Sequence, residues 1–351
     1  YSVFKNKNYG KLSNQNILEQ NINQQGRITT DESNKKENPQ DFALWKKAKE
    51  NEPSFDSPWG KGRPGWHIEC SAMVKDELGE TIDIHLGGSD LIFPHHENEI
   101  AQSESANNKK LANYWLHNGM VNVNGQKMSK SLKNFTTIRD LLDSGTSPMT
   151  LRYFVLTVNY RKPLDFTDEA LKSASEAWKN INVALSFFDI TKKENLSIEV
   201  NETNEFVEET YKDMINYEIS QKKIKFTNAL NNDLNTAGAI AIIYELAKPL
   251  KNCINQFQRI KNLEINTNEK FHLRETFKTL EELTNVLGLK KEEIIIDNRI
   301  NEDQILSLIN KRLVAKKEKD YAEADKIRNS LKEKGVELID QSPELTTWVR
   351  I

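Results

Sequence analysis

The clearest metal-binding chemistry in the sequence belongs to a cysteine, a histidine and a glutamate. His95 and Glu99 are four residues apart in a predicted helix, so both side chains leave the same face. Cys70, a thiolate ligand, precedes them by about 25 positions. Thiolate, imidazole and carboxylate together suit zinc better than a hard cation. The three residues predict an open or incomplete zinc site, although each feature alone is also typical of a helix-surface pair or a buried cysteine.

Gly87 and Gly88 follow a predicted strand and begin a turn that ends at Asp90. Glycine lets a backbone come close to a planar base or a phosphate. The carboxylate of Asp90 can accept hydrogen bonds from ribose hydroxyls. Because Gly-Gly turns are common, this pattern by itself is only a weak indication of a nucleotide site.

A basic loop, Lys127-Met128-Ser129-Lys130-Ser131, follows a predicted strand over Trp115–Val123 and a tight turn at Asn124-Gly125. Two ammonium groups and two hydroxyls can stabilise charge that develops on a polyphosphate during phosphoryl or adenylyl transfer. The alternative is a solvated basic loop, which five residues do not exclude. Lys127 and Lys130 are the candidate catalytic residues.

Trp66 and His85 lie in the same stretch, from Arg63 to Ser131, which holds five of the six histidines and one of the two cysteines. Both are candidates for lining a small substrate pocket, and the alternative is that each packs in the core. The density of ligands and phosphate-binding groups indicates an active site, or a large part of one.

The elements that must position these residues alternate between helix and strand. Ser71–Leu78 is predicted as a helix ended by Gly79, and Thr81–Leu86 as a strand that leads into the glycine turn. Pro94 is expected in the first turn of a helix that continues over His95–Asn107. Strand, glycine turn and helix in this order are typical of a nucleotide-binding α/β sheet.

From Thr167 onward the chain is predicted to be almost entirely helical. Apolar residues recur three or four positions apart, as in a helical bundle, at Leu171, Ala174, Trp178, Ile181, Leu185 and Phe188. The tail from Val336 to Ile351 is predicted to form a small hairpin.

A basic region lies between Lys311 and Lys334, with nine Lys or Arg and five Asp or Glu. Basic helices near a small terminal domain can contact the phosphates of an anticodon arm. A solvated helix face is the alternative. Trp348 is a candidate for stacking on an unpaired base, with packing as the alternative.

The bulk composition limits the class of protein. A chain of 351 residues suggests two or three domains. It lacks a run of eighteen apolar residues, so no membrane partner is expected. The two cysteines, Cys70 and Cys253, make no disulfide scaffold, which indicates a reducing compartment, and the predicted location is the cytoplasm. The net charge of −3 does not by itself predict a polyanion partner.

Several long motifs, in order, resemble cysteinyl-tRNA synthetase, a class I synthetase. They are GRPGWHIECSAM at 62–73, GGSD at 87–90, FPHHENEIAQ at 93–102 and the Lys-Met-Ser-Lys-Ser loop. The similarity continues through 151–154 and 233–236 to Thr346-Thr347-Trp348, so it covers nearly the whole chain.

The resemblance implies that Cys70, His95 and Glu99 hold one zinc ion, which binds the thiolate of substrate cysteine. Zinc prefers sulfur to a serine hydroxyl, so ligation to the metal would reject serine without an editing site. Trp66 and His85 match positions that surround the amino acid in the family.

The resemblance also implies roles in nucleotide binding. Gly87, Gly88 and Asp90 match the family's adenosine-binding turn. Lys130 matches the residue that binds the ATP phosphates and steadies the adenylation transition state, with Lys127 assisting. Magnesium is expected to accompany ATP.

The sequence departs from the family in one respect. The family has a fourth zinc ligand, a cysteine in an N-terminal strand, followed by a His-Ile-Gly-His motif that binds ATP, and neither is present here. Cys253, in the distant helical region, is not a plausible replacement. We expect the first half of the nucleotide fold to be missing upstream of Tyr1. We also expect the chain alone not to aminoacylate, which robust cysteine-dependent ATP–pyrophosphate exchange would refute.

The predicted fold class is a partial, Rossmann-like α/β catalytic domain followed by an α-helical bundle and a small mixed α/β C-terminal module. The predicted divisions are a connective part of the catalytic domain (1–60) and the second half of its Rossmann-like fold (61–120). A stem-contact region with the Lys-Met-Ser-Lys-Ser loop (121–166), a tRNA-binding helical bundle (167–295) and an anticodon-binding module (296–351) follow.

The predicted activity is ATP-dependent joining of cysteine to its tRNA by a monomer. One alternative is a ligase that joins cysteine to an amino sugar with the same zinc triad and basic loop. Another is a catalytically silent tRNA-binding fragment, whose binding would depend steeply on salt without adenylate formation.

Overall fold

The computed structural model describes residues 1–15, 36–193, 207–259, 264–293, 302–342 and 345–350. They form two compact units. The first is Tyr1–Phe135 with Tyr160–Phe166, and the second is Thr136–Asn159 with Thr167–Ile351. Every predicted site residue lies in the first unit. The finer division into five segments stays a prediction.

The described part of the first unit is a set of short strands around two helices. In chain order its elements are β1 (Trp45–Lys47), β2 (Gly62–Pro64), α1 (Trp66–Leu78), β3 (Ile82–Gly88), α2 (Glu97–Asn107), β4 (Ala112–Asn118), β5 (Val121–Val123), β6 (Gln126–Lys127) and β7 (Leu164–Phe166).

A strand–helix–strand unit carries the candidate site. β3 and β4 are parallel, with Ile84 opposite Tyr114 and Leu86 opposite Leu116, and α2 lies between them in the chain. Parallel neighbours joined through a helix are the building block of nucleotide-binding α/β folds. The predicted α/β class is confirmed in this unit.

The start of the first helix was predicted too late. α1 begins at Trp66 rather than Ser71, with Gly65 as an extended N-cap residue, and it ends at Gly79, as predicted, where φ is +97°. Pro64 and Gly65, which predict a turn, therefore lie directly before the first residue of the helix. This places Trp66 and Cys70 on one helix.

The prediction that Pro94 lies in the first turn of a regular helix is wrong. Phe93 has extended backbone angles (φ −132°, ψ 133°) and precedes a cis peptide bond to Pro94. A residue before proline is driven away from helical angles by steric clash with the proline ring. An irregular turn therefore fills Ile92–His96, and α2 is regular only from Glu97.

The single strand predicted over Trp115–Val123 is two strands, β4 and β5. At Gly119, between them, a Cβ atom would collide with the backbone of Lys162, and the Gly119 amide donates to the Tyr160 carbonyl. The predicted tight turn is confirmed, since Asn124 and Gly125 have φ of 50° and 77° and join antiparallel β5 and β6.

The second unit is mostly helical, as predicted. Its described helices are α3 (Ile138–Asp143), α4 (Pro148–Leu156), α5 (Asp168–Leu185), α6 (Phe187–Lys193), α7 (Glu209–Asn231), α8 (Thr236–Arg259), α9 (Thr267–Val286), α10 (Glu302–Lys317) and α11 (Tyr321–Glu333). Trp178 and Ile181 of the predicted stripe are buried in its core with Ile243, Leu250 and Leu280. The indole nitrogen of Trp178 donates to Glu292 at 2.6 Å.

The chain ends in a small module of α10, α11 and the antiparallel hairpin of β8 (Val336–Ser342) and β9 (Leu345–Arg350). The predicted hairpin is confirmed. Trp348 packs against an apolar cluster that includes Ile309 and Leu331, which supports its packing alternative. Within the residues that the structure describes, no helix is long and apolar enough to cross a membrane.

Candidate metal centre and active site

Cys70, His95 and Glu99 converge from α1, the irregular turn and the first turn of α2. Each offers one ligand atom, and these atoms all lie within 4.8 Å of one another. The Nε2 of His95 is 3.5 Å from the Oε1 of Glu99. Two such atoms bound tetrahedrally to one zinc ion lie roughly 3.3 Å apart. The group therefore has nearly the dimensions of a zinc site.

The carboxylate of Glu99 is buried, with 1% of the residue exposed. Its Oε2 lies 3.1 Å from the Nε2 of His85, but it has no hydrogen-bond partner among the described residues. A buried carboxylate oxygen without a partner is costly. A cation bound to the carboxylate of Glu99 would offset the cost of burying its negative charge, so the residues fit a metal.

Glu99 also belongs to a second group of potential ligands, with His85 and His96, whose atoms lie within the same 4.8 Å limit. Oε1 of Glu99 faces His95, whereas Oε2 faces the other two imidazoles. Only the first group contains a thiol. Because soft sulfur selects zinc over hard cations, that group is the better zinc site.

Four imidazoles of the first unit, those of His67, His95, His96 and His117, favour the neutral form that metals require. Burial lowers the pKa of His96 to about 4 and the pKa of His67 to about 4. Burial also lowers the pKa of His95 and of His117. These rings present nitrogen lone pairs at neutral pH instead of positive charge.

The thiol of Cys70 is held in its protonated form by its surroundings. Burial raises its pKa, and the negative charge of Glu99 raises it further. A bound divalent cation acts in the opposite direction and deprotonates a ligating thiol. A divalent cation would therefore complete the charge balance of the site.

Trp66 and His85, the predicted lining residues, both contact this group, Trp66 by stacking on His95 and His85 through its Nε2, which lies 3.1 Å from Glu99. Trp66 stacks on His95 with ring centroids 4.4 Å apart, and 47% of the tryptophan remains exposed. His85 stacks on Trp115, also at 4.4 Å. The structure thus brings both residues beside the candidate ligands.

The glycine turn has a local structural role. A Cβ atom on Gly87 would lie 2.5 Å from a ring carbon of His96, so the absence of a side chain lets that imidazole approach β3. A Cβ on Gly88 would meet the carboxylate of Asp90. Asp90 is itself exposed. The assignment of these three residues to nucleotide binding stays a prediction.

The Lys-Met-Ser-Lys-Ser loop is shaped by Asn134. The side chain of Asn134 accepts from the Ser129 amide at 2.8 Å and donates to the Lys127 carbonyl at 3.1 Å. Both lysine side chains are exposed, and the ammonium of Lys130 lies 5.8 Å from the ring centre of Phe135. In the described chain, neither lysine has an acidic partner, and no hydrogen bond or ion pair joins the loop to the candidate metal group.

The residues that sequence reasoning missed are His67, His96, His117 and Asn134. The histidines were counted as part of a dense stretch, and that density was the available signal. His67 lies beside Trp66, a predicted site residue, but adjacent positions on a helix point in different directions, so the contact with His95 was not apparent. No sequence signal marks Asn134.

Comparison with known proteins decides the family. The family described as "tRNA synthetases class I (C) catalytic domain" matches residues 1–176, and "DALR domain" matches residues 225–291. A cysteine–tRNA ligase of Prochlorococcus marinus subsp. pastoris (strain CCMP1986 / NIES-2087 / MED4) is 98% identical over all of this chain and 71% of its own length. The chain belongs to the cysteine–tRNA ligase family. It is therefore an aminoacyl-tRNA ligase, as predicted.

Other proteins resemble the chain at lower identity. The cysteine–tRNA ligase of Synechococcus sp. (strain CC9902) is 50% identical, over 100% of this chain and 71% of that protein. Among solved structures, a methionyl-tRNA synthetase of Mycobacterium tuberculosis aligns over 58% of this chain and 40% of its own, at 19% identity and a TM-score of 0.41. The class I catalytic match includes the candidate metal group and the basic loop, and the DALR match falls on α7, α8 and α9.

Proposed function

We propose that this chain serves the ATP-dependent activation of cysteine and its transfer to tRNA, with zinc held by Cys70, His95 and Glu99. The proposal depends above all on the convergence of the Cys70 thiol, the His95 imidazole and the buried Glu99 carboxylate, whose ligand atoms lie within 4.8 Å of one another. Family membership supports the aminoacyl transfer, and the chemistry of the donor set supports the metal and the amino acid.

A zinc ion at this site would bind the substrate thiol as a thiolate and favour it over the hydroxyl of serine. The residues of the chain position the substrate. The half-exposed Trp66 and the stacked His85 flank the ligand group, and their rings can exclude water from the amino acid. Selectivity for cysteine would then arise during binding, without an editing domain.

The nucleotide is assigned to the glycine turn and the basic loop. In the proposed reaction the cysteine carboxylate attacks the α-phosphate of ATP, and pyrophosphate leaves with magnesium. Gly87, Gly88 and Asp90 would hold the adenosine. Lys130, with Lys127, would stabilise the charge on the phosphates, which their exposed ammonium groups, without an acidic partner among the described residues, support.

Thiol selectivity can be tested directly by spectroscopy. Cobalt(II) in place of zinc should give a sulfur-to-cobalt absorption band from Cys70. Cysteine should strengthen this band, and serine at the same concentration should not. The matched variant Cys253→Ser removes the other cysteine, which is buried in the second unit, and should leave the spectrum unchanged. An equal response to serine and cysteine would contradict the proposal.

The acceptor is proposed to be tRNA rather than an amino sugar, because the relatives named above are cysteine–tRNA ligases. Two basic side chains of the C-terminal module, Arg312 and Lys316, are already paired with Asp340. Lys311, Lys319 and Lys332 of the same module are exposed, and their ammonium groups would contact the phosphates. A tRNA affinity that falls steeply with salt supports this acceptor, whereas binding of an amino sugar without tRNA binding would contradict it. The monomeric state and the cytoplasmic location remain predictions.

A further inference from the structure

His67 has no role in the proposed function, yet it contacts a candidate zinc ligand. Its Nδ1 lies 2.8 Å from the Nδ1 of His95, within hydrogen-bond distance. The Nε2 of His95 lies 3.5 Å from the Oε1 of Glu99. The two nitrogens of His95 therefore face different partners, one the metal ligands and the other His67.

Ligand chemistry fixes where the protons of this pair must lie. A neutral imidazole that binds a metal through Nε2 carries its proton on Nδ1. The Nδ1–H of His95 can then donate only to a nitrogen with a free lone pair. The facing Nδ1 of His67 must be that acceptor, and the proton of His67 must lie on its own Nε2.

We infer that His67 is a positioning residue, which accepts a hydrogen bond from His95 and holds that ring in the tautomer and orientation that bind zinc. This inference rests on the proposed zinc site. Groups that bind the second nitrogen of a ligating histidine typically raise metal affinity about 10- to 100-fold. A carboxylate or a carbonyl usually has this role, and here an imidazole takes it.

Ring packing holds the acceptor in place. Phe42 meets the His67 ring edge-on, with centroids 5.9 Å apart and an interplanar angle of 84°. Trp66 stacks near both members of the pair, at 5.4 Å from His67 and 4.4 Å from His95. Rotation of either imidazole would break these contacts, so the hydrogen bond is oriented before any metal arrives.

The same unit contains a matched control. His96 and His117 form a second imidazole pair, with Nδ1 of His96 2.8 Å from Nε2 of His117. His96 is outside the Cys70, His95 and Glu99 group. Loss of His117 therefore removes an equivalent hydrogen bond without removing the acceptor for a candidate zinc ligand.

The test is the zinc dissociation constant of the full 351-residue chain, measured by chelator competition. His67→Phe keeps a ring but removes the acceptor and should weaken zinc binding about 10- to 100-fold. His67→Asn places an amide oxygen near the original Nδ1 and should retain most of the affinity. His117→Phe should leave the affinity unchanged. In the cobalt-loaded protein, only His67→Phe should shift the visible absorption of the metal.

Three results would overturn the inference. One is a zinc affinity in His67→Phe equal to that of the parent. Another is equal weakening in His67→Asn and His67→Phe with native circular dichroism, because that would indicate packing and not hydrogen-bond acceptance. The third is a parent chain that binds no zinc, which would also overturn the proposed zinc site, whereas the first two leave that site intact.

Discussion

Two carboxylates, Glu99 and Asp340, are held in opposite ways in this chain. Asp340 accepts two hydrogen bonds from the guanidinium of Arg312, at 2.7 and 2.9 Å, and one each from Lys316 and Thr346. Glu99 is more deeply buried, but its neighbours are imidazoles and a thiol. Asp340 pairs with two permanent cations, Arg312 and Lys316, whereas no lysine or arginine among the described residues pairs with Glu99.

Glu97, two residues before Glu99 in α2, shows that burial alone does not distinguish the two carboxylates. It is equally buried, but its oxygens accept from the Gly10 amide at 3.0 Å and from the amide and hydroxyl of Ser13 at 2.7 and 3.0 Å. Burial of a carboxylate is therefore not in itself a sign of function. An uncompensated buried carboxylate beside soft ligands is such a sign.

The largest expected effect is on zinc binding. Glu99→Gln removes a ligand and should weaken zinc binding by more than about 100-fold, since even a second-sphere partner contributes about 10- to 100-fold. The metal-free protein should not lose stability, because the change removes a buried charge that pairs with no lysine or arginine among the described residues. Chelator competition and thermal unfolding measure the two effects, and Asp340→Asn should leave zinc affinity unchanged.

Substitution of Asp340 is expected to reduce stability and to leave zinc binding unchanged. Asp340→Asn leaves the guanidinium of Arg312, which is 2% exposed, without its carboxylate. The C-terminal module should lose about 3 kcal/mol of stability. Hydrogen exchange of the amides in α10 and β8 measures this loss, and Glu323→Gln, at an exposed ion pair with Lys326, should change it by less than about 0.5 kcal/mol. Unchanged exchange in Asp340→Asn would contradict this account of the module.

Acid should weaken the same module. The hydrogen-bonded guanidinium of Arg312 holds the pKa of Asp340 well below its usual range. A depressed pKa contributes stability that is present above the unfolded value, about 3.9, and is lost as pH falls toward the folded value. Hydrogen exchange or near-ultraviolet circular dichroism below about pH 4 should show this loss. If the stability of the module in Asp340→Asn fell with pH as steeply as in the parent, the acid sensitivity would not come from Asp340.

The smallest expected effect is at Thr346, whose hydroxyl donates to Asp340 at 2.7 Å. Thr346→Val keeps the shape and the β-branch but removes this hydrogen bond. The module should lose about 1 kcal/mol, because the guanidinium still compensates the charge. A loss as large as that of Asp340→Asn would mean that the hydroxyl, and not the ion pair, holds the carboxylate.

Sequence reasoning brought Cys70, His95 and Glu99 together because ligand type and helical spacing are local properties. The Asn124-Gly125 turn was predictable for the same reason, since its backbone angles depend on two residues. The contact between His67 and His95 was not predictable, because it depends on how α1 packs against the turn before α2. The hydrogen bonds of Asn134 and the bidentate pairing of Arg312 with Asp340 likewise depend on tertiary structure.

The central claim is that the uncompensated carboxylate of Glu99 marks a zinc site. The most direct test is the zinc content of the purified 351-residue chain, of 40.5 kDa by intact mass, after dialysis against trace zinc. We expect about one zinc ion per chain in the parent and almost none in Glu99→Gln. A parent chain without zinc, or a Glu99→Gln variant that retains the full content, would contradict it.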